Sequence, residues 1–361
     1  MKTLSKTGLL KRKLSATGLG ALLILCAAGC SPVYVIRGAI AEAKILSRRR
    51  PIIEVVRDPA TSDTIRHKLD VVQQARAFAE HELGLRAGES FTTYSWVESD
   101  TLLMVLSAAR KDRFEQYTWW FPIVGRVPYK GYFNFQQAYD AARLLDQAGY
   151  DTYVRPSGAF STLGWFNDPL LNTVLRYGDV SLASTVIHEL LHNTVFVPSQ
   201  IYFNESFANF VGDRGAAEFL CAREGETAPR CTLARNAWAD NLVYGQFLSE
   251  LVGALEELYK RPGLTSADRI RMREDVYTNA RQRFRSEIEP KLKTNAFRGF
   301  DQEPLNNAAL IATRLYYDRL HLFEQLYQRN GARLRPTIEQ IVKLAKENPD
   351  DPYGAVERAL R

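Results

Sequence analysis

The chain has 361 residues, of which 46% are hydrophobic and 24% are charged. This composition is typical of a globular protein, and the length allows one large domain or two smaller ones. The formal net charge is +6, but residues 1–29 contain five basic residues and no acidic residue. The remainder is therefore close to neutral, which excludes the concentrated positive charge of a protein that binds nucleic acid.

The N-terminus has the order of a secretion signal, with basic residues followed by the apolar run LSATGLGALLILCAAGC. This run is shorter than the about 20 apolar residues of a membrane-spanning helix. Its last four letters resemble the lipobox of bacterial lipoproteins. That resemblance implies cleavage after residue 29, acylation of Cys30 and, because Ser31 follows, a lipid anchor in the outer membrane facing the periplasm. The alternatives are an ordinary secreted protein and an uncleaved anchor.

The rest of the chain divides into two predicted parts. Residues 30–63 are expected to form the lipidated N-terminus and a segment close to the membrane, where a basic run at 48–50 can meet lipid headgroups. Residues 64–361 are expected to form one catalytic unit.

An oxidising periplasm permits a disulfide between Cys221 and Cys231, with two free thiols as the alternative.

The first half of the catalytic unit shows both helical and strand-like patterns. Apolar residues recur at helical spacing over 64–85 and 134–148, and Asn134 is a suitable cap for the second of these helices. Aromatic and β-branched residues at 91–106 and 118–133 predict strands. The segment 150–166 is expected to be strand and loop.

The second half is expected to be helical. Together the two halves predict an α+β fold, with a small sheet in a mixed N-terminal half and a mostly helical C-terminal half. The predicted helices after Asp179 are 180–196, 205–222, 233–260, 266–294, 305–329, 336–347 and 352–360.

The stretch VIHELLH (186–192) places His188 and His192 four positions apart. On a helix these positions share one face, so both imidazoles can bind one metal ion. Glu189 follows the first histidine, where it can act as a general base without binding the metal. Apolar residues around the motif predict a buried stripe, and burying these polar side chains without a partner would be unfavourable. The alternative is an exposed helix that carries two histidines.

Glu205, within the stretch NESFA, is the candidate for a third metal ligand. Asn204 is expected to cap a second helix, which begins after Pro198 and packs antiparallel against the first. Zinc in hydrolases usually has three protein ligands and one open position, so one Zn²⁺ is predicted at His188, His192 and Glu205. The alternative role for Glu205 is a favourable interaction with the helix N-terminus.

Further acids on the second predicted helix are also candidates. Asp213 and Glu218 are rival ligands. Asn209 and Asp213 share one side of the helix with Glu205, and they are candidates to orient an imidazole through its second nitrogen.

HELLH and NESFA together resemble the gluzincin zinc peptidases, whose pattern is HExxH followed by NExxA or NExxxD. The gap between the second histidine and the glutamate is shorter here than is usual in gluzincins, so the difference lies in the connecting loop and not in the set of ligands. Over most of its length the chain also resembles a bacterial family described as aminopeptidases. The matching stretches include VPYKGYF (127–133), STLGWFNDPLLNTVLRY (161–177) and PLNNAAL (304–310). These resemblances imply a zincin-like pair of active-site helices, zinc-dependent hydrolysis of peptide bonds and a peptide substrate.

The resemblance leaves two questions open. Some gluzincin aminopeptidases hold the substrate's amino group with a GAMEN-type segment, which this sequence lacks, so the motifs favour a zinc peptidase more strongly than an aminopeptidase. A competing hypothesis is a lipid-anchored binding or scaffold protein with a structural metal site. The glutamate of the motif argues against it, because a structural site needs no base.

Peptide hydrolysis also needs a donor that stabilises the developing oxyanion. Tyr316 or Tyr317 is the candidate, by resemblance to a tyrosine on a later helix of some gluzincins, and packing is the alternative role. Asn306 and Asn307 are further candidates, with helix capping as their alternative role.

Overall fold

A computed structural model describes most of the chain as an α+β fold, with small sheets in the N-terminal half and helices in the C-terminal half. This confirms the predicted fold class. None of the helices in the described ranges is long and apolar enough to cross a membrane. The predicted signal peptide, Cys30 and residues 158–166 of the segment predicted as strand and loop lie outside the described residues. The described residues are 43–98, 101–121, 125–157 and 169–361.

The N-terminal half forms three small sheets, with the strand orders β1-β2-β8, β6-β3-β7 and β4-β5. Its helices are α1 (Ile52–Arg57), α2 (Asp63–His81) and α3 (Phe135–Gln147). Its strands are β1 (Arg50–Pro51), β2 (Thr93–Ser95), β3 (Leu103–Arg110), β4 (Trp119–Phe121), β5 (Gly125–Val127), β6 (Tyr129–Tyr132), β7 (Tyr150–Ser157) and β8 (Leu170–Leu171).

The C-terminal half is helical, as the sequence predicts, and it supplies most of the main core. Its helices are α4 (Asp179–Thr194), α5 (Ile201–Glu224), α6 (Pro229–Lys260), α7 (Ser266–Arg283), α8 (Asn307–Tyr317), α9 (Leu320–Arg329), α10 (Leu334–Glu347) and α11 (Pro352–Ala359).

The central sheet lies between two helices. Strand β3 pairs antiparallel with β6 and β7, and Val105 is opposite both Gly131 and Arg155. Because side chains alternate between the two faces of a strand, Leu106 and Val154 pack against α3 on one face. The other face meets α8, where Tyr153 packs against its residues.

Part of the segment assigned to the membrane approach packs on the folded unit. Strand β1 pairs antiparallel with β2, and α1 follows it directly. Ile52 and Val55 are only 2% and 4% exposed and belong to the main core. The packed structure therefore begins before Thr64.

The single helix predicted at 305–329 is wrong, because the chain breaks between α8 and α9. Arg319 has a φ of 48° at this point. Ser206 accepts a hydrogen bond from the amide of Asp318 (3.1 Å) and donates to a carbonyl in the last turn of α8 (2.9 Å). The hydroxyl of Tyr353 donates to the Asp318 carbonyl (3.1 Å). Tertiary hydrogen bonds therefore satisfy the backbone groups that the break exposes.

We expect Ser206→Ala to reduce the free energy of unfolding by about 1–3 kcal/mol, because it leaves the buried amide of Asp318 without its partner. Urea denaturation followed by circular dichroism measures this change. Ser47→Ala is the control, since Ser47 donates only to a nearby backbone carbonyl in an exposed region, and its effect should stay within about 0.5 kcal/mol. Equal stability of the two variants would show that the break does not depend on Ser206.

Candidate metal centre

The helix α4 carries both histidines and is fixed along its length. Its inner face is buried as predicted, with Leu182, Val186 and Leu190 at 0% exposure. At its N-terminus Asp179 accepts hydrogen bonds from Lys68 (2.6 Å), His67 (2.8 Å) and Arg230 (2.6 Å). Burial tends to raise the pKa of Asp179, but these hydrogen bonds and the lysine charge lower it well below its usual range. The start of α4 is thus tied to α2 and α6.

The helix α5 approaches α4 closely because glycines face the contact. A Cβ atom on Gly212 would lie 2.7 Å from the carbonyl oxygen of Ser184 and 3.1 Å from Cβ of His188. A Cβ atom on Gly215 would lie 3.0 Å from the side chain of Ile187. Larger residues would push the helices apart. The separation of the two helices therefore depends on the absence of side chains at these positions.

Glu205 lies one turn inside α5, because the helix begins at Ile201. The predicted capping role of Asn204 is therefore wrong. Its side chain accepts a hydrogen bond from the Val197 amide (2.9 Å) and donates to the Val197 carbonyl (2.8 Å). These two bonds brace the loop between α4 and α5, and so they fix the entry of the helix that carries Glu205.

The structure brings the side chains of His188, His192 and Glu205 together. The two Nε2 atoms are 3.2 Å apart. Nε2 of His188 lies 3.5 Å from one carboxylate oxygen of Glu205, and Nε2 of His192 lies 3.6 Å from the other. Ligands at about 2.0–2.1 Å from a tetrahedral zinc ion would be separated by about 3.4 Å. The donor types and their spacing therefore fit zinc.

The charges of the three groups support this interpretation. Burial tends to raise the pKa of Glu205, but hydrogen bonds and positive charge from the two histidines lower it well below its usual range. Burial tends to lower the pKa of His188, but the hydrogen bond to Glu205 and the charges of Glu189, Glu205 and Asp213 raise it. The two Nε2 atoms face each other at 3.2 Å, a separation that suits either an N–H···N hydrogen bond or a cation bound by both nitrogens. The carboxylates of Glu205, Glu189 and Asp213 thus favour positive charge at His188.

Glu189 is half-buried beside the three residues, and its charge acts on His188. Within the described part of the chain it has neither a hydrogen-bond nor an ion-pair partner. Its carboxylate is therefore available to take up a proton.

The other acids and amides predicted near the ligands have different partners. Asn209 donates to the carbonyl of Tyr316 (3.0 Å), so it positions that residue and no imidazole. Asp213 accepts hydrogen bonds from Ser184 (2.6 Å) and Asn241 (2.5 Å), and it acts on His188 through its charge. Glu218 accepts from Tyr327. Neither acid belongs to the group of three metal-binding candidates.

The structure separates the candidate oxyanion donors. The ring of Tyr316 lies beside that of His188, with centroids 6.3 Å apart, whereas Tyr317 packs against Tyr244 and Phe297. Burial and the charge of Glu205 raise the pKa of Tyr316 to about 12. Its hydroxyl therefore keeps its proton at neutral pH.

The two asparagines before α8 have structural roles. Asn306 caps the helix by accepting from the Ala309 amide (2.9 Å). Asn307 accepts from the hydroxyls of Tyr259 and Tyr277 and donates to the carbonyl of Arg110. Neither side chain is therefore available as an oxyanion donor.

Sequence reasoning missed two residues of the central sheet that meet this site. Tyr129 interacts electrostatically with both Glu205 and Arg155. Arg155 also interacts with the hydroxyl of Tyr316 and opposes the rise in its pKa. Alternation along β6 and β7 can assign these residues to a face of the sheet. It cannot show that this face meets the metal centre.

A cavity of about 450 Å³ adjoins His192. It is large enough for part of a peptide substrate. Its walls combine the end of α4, the loop that follows it and the end of α10, and they include Arg86, Phe196 and Lys346.

Cys221 and Cys231 are joined by a disulfide, with their Cα atoms 4.6 Å apart. This bond connects the end of α5 to the start of α6. Asn204 thus braces one end of the ligand-bearing helix and the disulfide braces the other.

Comparison with known protein families identifies a match over most of the chain. A family model described as "Putative aminopeptidase" matches residues 33–352. No curated protein and no solved structure matches the chain.

We expect Gly212→Ala to lower the free energy of unfolding by about 1–3 kcal/mol, because its Cβ overlaps the Ser184 carbonyl oxygen. It should also weaken metal binding, since the clash moves Glu205 away from the histidines. Gly253→Ala on α6 is the matched control, because nothing lies within 4 Å of the new Cβ, and it should stabilise the helix by about 0.5–1 kcal/mol. Thermal unfolding and metal analysis measure both effects, and an unchanged Gly212→Ala protein would contradict this account.

Proposed function

The chain belongs to the family described as "Putative aminopeptidase", and we propose that it is a zinc-dependent hydrolase of peptide bonds. The family points to peptidase activity and to a peptide substrate. The observation that supports the zinc-dependent mechanism is the convergence of His188, His192 and Glu205, whose donor atoms all lie within 4.8 Å of one another.

In this proposal, His188, His192 and Glu205 hold one zinc ion and leave one position open. A bound zinc ion polarises a carbonyl group and lowers the pKa of its water to about 7. The chain contributes two neutral donors and one anionic donor, so the charge of the ion is only partly neutralised. The bracing of α4 and α5 holds the three donors in place before the ion arrives.

Glu189 is the proposed general base. Its carboxylate takes a proton from the attacking water and later gives a proton to the leaving amine. Its neighbour His188 is held in place by Glu205, so the position of the base relative to the centre is fixed by the turn of α4 that they share. Freedom from other partners allows the carboxylate to exchange protons without first breaking an ion pair.

Tyr316 is the proposed oxyanion donor. Its ring lies beside His188, and its raised pKa keeps the hydroxyl protonated. Asn209 fixes its backbone through the carbonyl. A donor that is already oriented stabilises the developing negative charge without reorganisation during the reaction.

We further propose that the protein acts at the periplasmic face of a bacterial membrane, held by a lipid on Cys30. The support is the basic and apolar N-terminal sequence that ends in AAGC at 27–30. A single acyl chain binds membranes only weakly, and several chains give stable anchoring. Acylation of both the thiol and the new amino group would therefore retain the enzyme at the membrane.

The mechanism predicts different effects for two substitutions on α4. Glu189→Gln should keep zinc and the melting temperature but lower kcat by about 10²–10⁴-fold, because glutamine cannot accept the proton. His192→Ala should lose both zinc and activity. Elemental analysis and cleavage of a mixed peptide library, with and without a chelator, measure these effects. A zinc-loaded Glu189→Gln protein with kcat close to the wild type would instead favour a structural metal site.

The anchor predicts that Cys30→Ala is released as a soluble protein or remains an unprocessed precursor, because the acylated thiol is lost. Detergent phase partitioning and mass spectrometry of the purified N-terminus distinguish these forms. Ser31→Ala is the control and should stay in the detergent phase. A Cys30→Ala protein of mature size that still partitions into detergent would rule out acylation at this residue.

A further inference from the structure

Arg155 lies on the face of the central sheet that meets the metal centre. It is opposite Val105 of β3, and it shares its face with Tyr153, which packs against α8. Its guanidinium interacts with the hydroxyl of Tyr316, whose ring is next to His188. Tyr129, from the other edge of the sheet, interacts with both Arg155 and Glu205. A permanent positive charge is therefore part of the wall around the proposed zinc ligands.

Within the described residues, Arg155 has no carboxylate partner. Other half-buried or buried arginines of this protein do have one: Arg273 binds Asp151 at 2.6 Å and Arg314 binds Asp318 at 2.9 Å. The half-buried guanidinium presents five N–H donors, and its interaction with the Tyr316 hydroxyl uses only part of this hydrogen-bonding capacity. The group that completes it must be able to enter the site.

In the described part of the site, each acid is already paired or serves as the proposed base, which leaves none for a substrate's α-ammonium. The cavity beside His192 is lined by Arg86 and Lys346 and by no acidic residue. The cavity beside Tyr202 does contain Glu256 and Asp318, but Arg314 pairs with both. Among the described residues, the acids whose charges act on His188 are Glu205, Glu189 and Asp213. Glu205 lies against the two histidines, Asp213 accepts hydrogen bonds from Ser184 and Asn241, and Glu189 is the proposed base.

We propose that Arg155 binds a carboxylate of the substrate, and that the enzyme selects peptides by their C-terminal carboxylate and not by their α-amino group. This inference rests on the proposed peptidase function. The planar guanidinium presents paired donors that match a carboxylate. An amide or an ester at the C-terminus removes the charge and one of the two acceptor oxygens. Selection would then fall on short peptides, whose scissile bond lies within reach of their own C-terminus.

The first test compares chemically modified substrates on the zinc-loaded full chain, purified in detergent. One peptide library is prepared in three forms: free at both ends, amidated at the C-terminus and acetylated at the N-terminus. We expect amidation to reduce kcat/KM roughly ten- to hundredfold, which corresponds to loss of a charge-assisted hydrogen bond. Acetylation should have little effect. Cleavage that depends on an internal aspartate or glutamate, and that is unaffected by amidation, would identify a side-chain carboxylate as the anion instead.

The second test replaces Arg155. Arg155→Gln should raise KM for free-acid peptides roughly ten- to hundredfold and remove the difference in KM between free-acid and amidated peptides, while Arg155→Lys should recover part of the loss because it keeps the charge. Arg143→Gln is the control, because Arg143 is exposed on α3, on the opposite side of the sheet. If Arg155 serves only to position Tyr316, kcat should instead fall equally for both peptide forms.

A binding measurement separates this inference from the proposed function. Calorimetry with zinc-loaded Glu189→Gln compares trialanine as the free acid, the amide and the N-acetyl derivative. Tighter binding of the free acid, lost in the Glu189→Gln, Arg155→Gln double variant, supports the inference whether or not any library is cleaved. Equal binding of acid and amide overturns it, as does cleavage that requires a free amino group. Absence of cleavage under all conditions would overturn the peptidase proposal alone.

Discussion

The close contact between α4 and α5 is the constraint on which the candidate site depends. Two imidazoles from one helix and a carboxylate from the other can meet within 3.2–3.6 Å only if the helices are held close together. Gly212 allows this contact because any side chain there would meet the Ser184 carbonyl. Asn204 and the disulfide of Cys221 fix the two ends of α5. Rigid donors are what a metal site with three protein ligands requires.

A second constraint joins the sheet to the helices. Asp151 at the start of β7 accepts two hydrogen bonds from Arg273 of α7 (2.6 and 3.0 Å) and one from the amide of Asn307 (3.0 Å). Both charged side chains are almost fully buried. Such a pair is costly unless its hydrogen bonds are satisfied, and then it favours one specific arrangement. Because Asn307 begins α8, the network also determines where Tyr316, at the other end of that helix, meets the candidate metal centre.

The sequence predicted the parts of the protein that follow local rules. Helical spacing placed His188 and His192 on one buried helix, and composition predicted the α+β fold. Sequence patterns failed where tertiary contacts determine the structure. Asn204 has the sequence context of a helix cap, but its side chain braces a loop. No glycine or proline marks the break at Asp318, which Ser206 stabilises from another helix. Partners from distant strands have no periodic signal, so Tyr129 and Arg155 were not found.

Strand β7 connects the buried ion pair, the packing of the sheet and the candidate site. On a single face of β7, Asp151 anchors the sheet to α7, Tyr153 packs against α8 and Arg155 meets the candidate metal centre. A register shift of one residue would turn all three side chains toward α3, so the buried ion pair at the start of the strand also holds the arginine in place. The helix pair carries groups that could act on any peptide bond. The selection of substrates would then depend on the sheet, because alternation along β7 puts every second side chain, including that of Arg155, on the face that meets the candidate site.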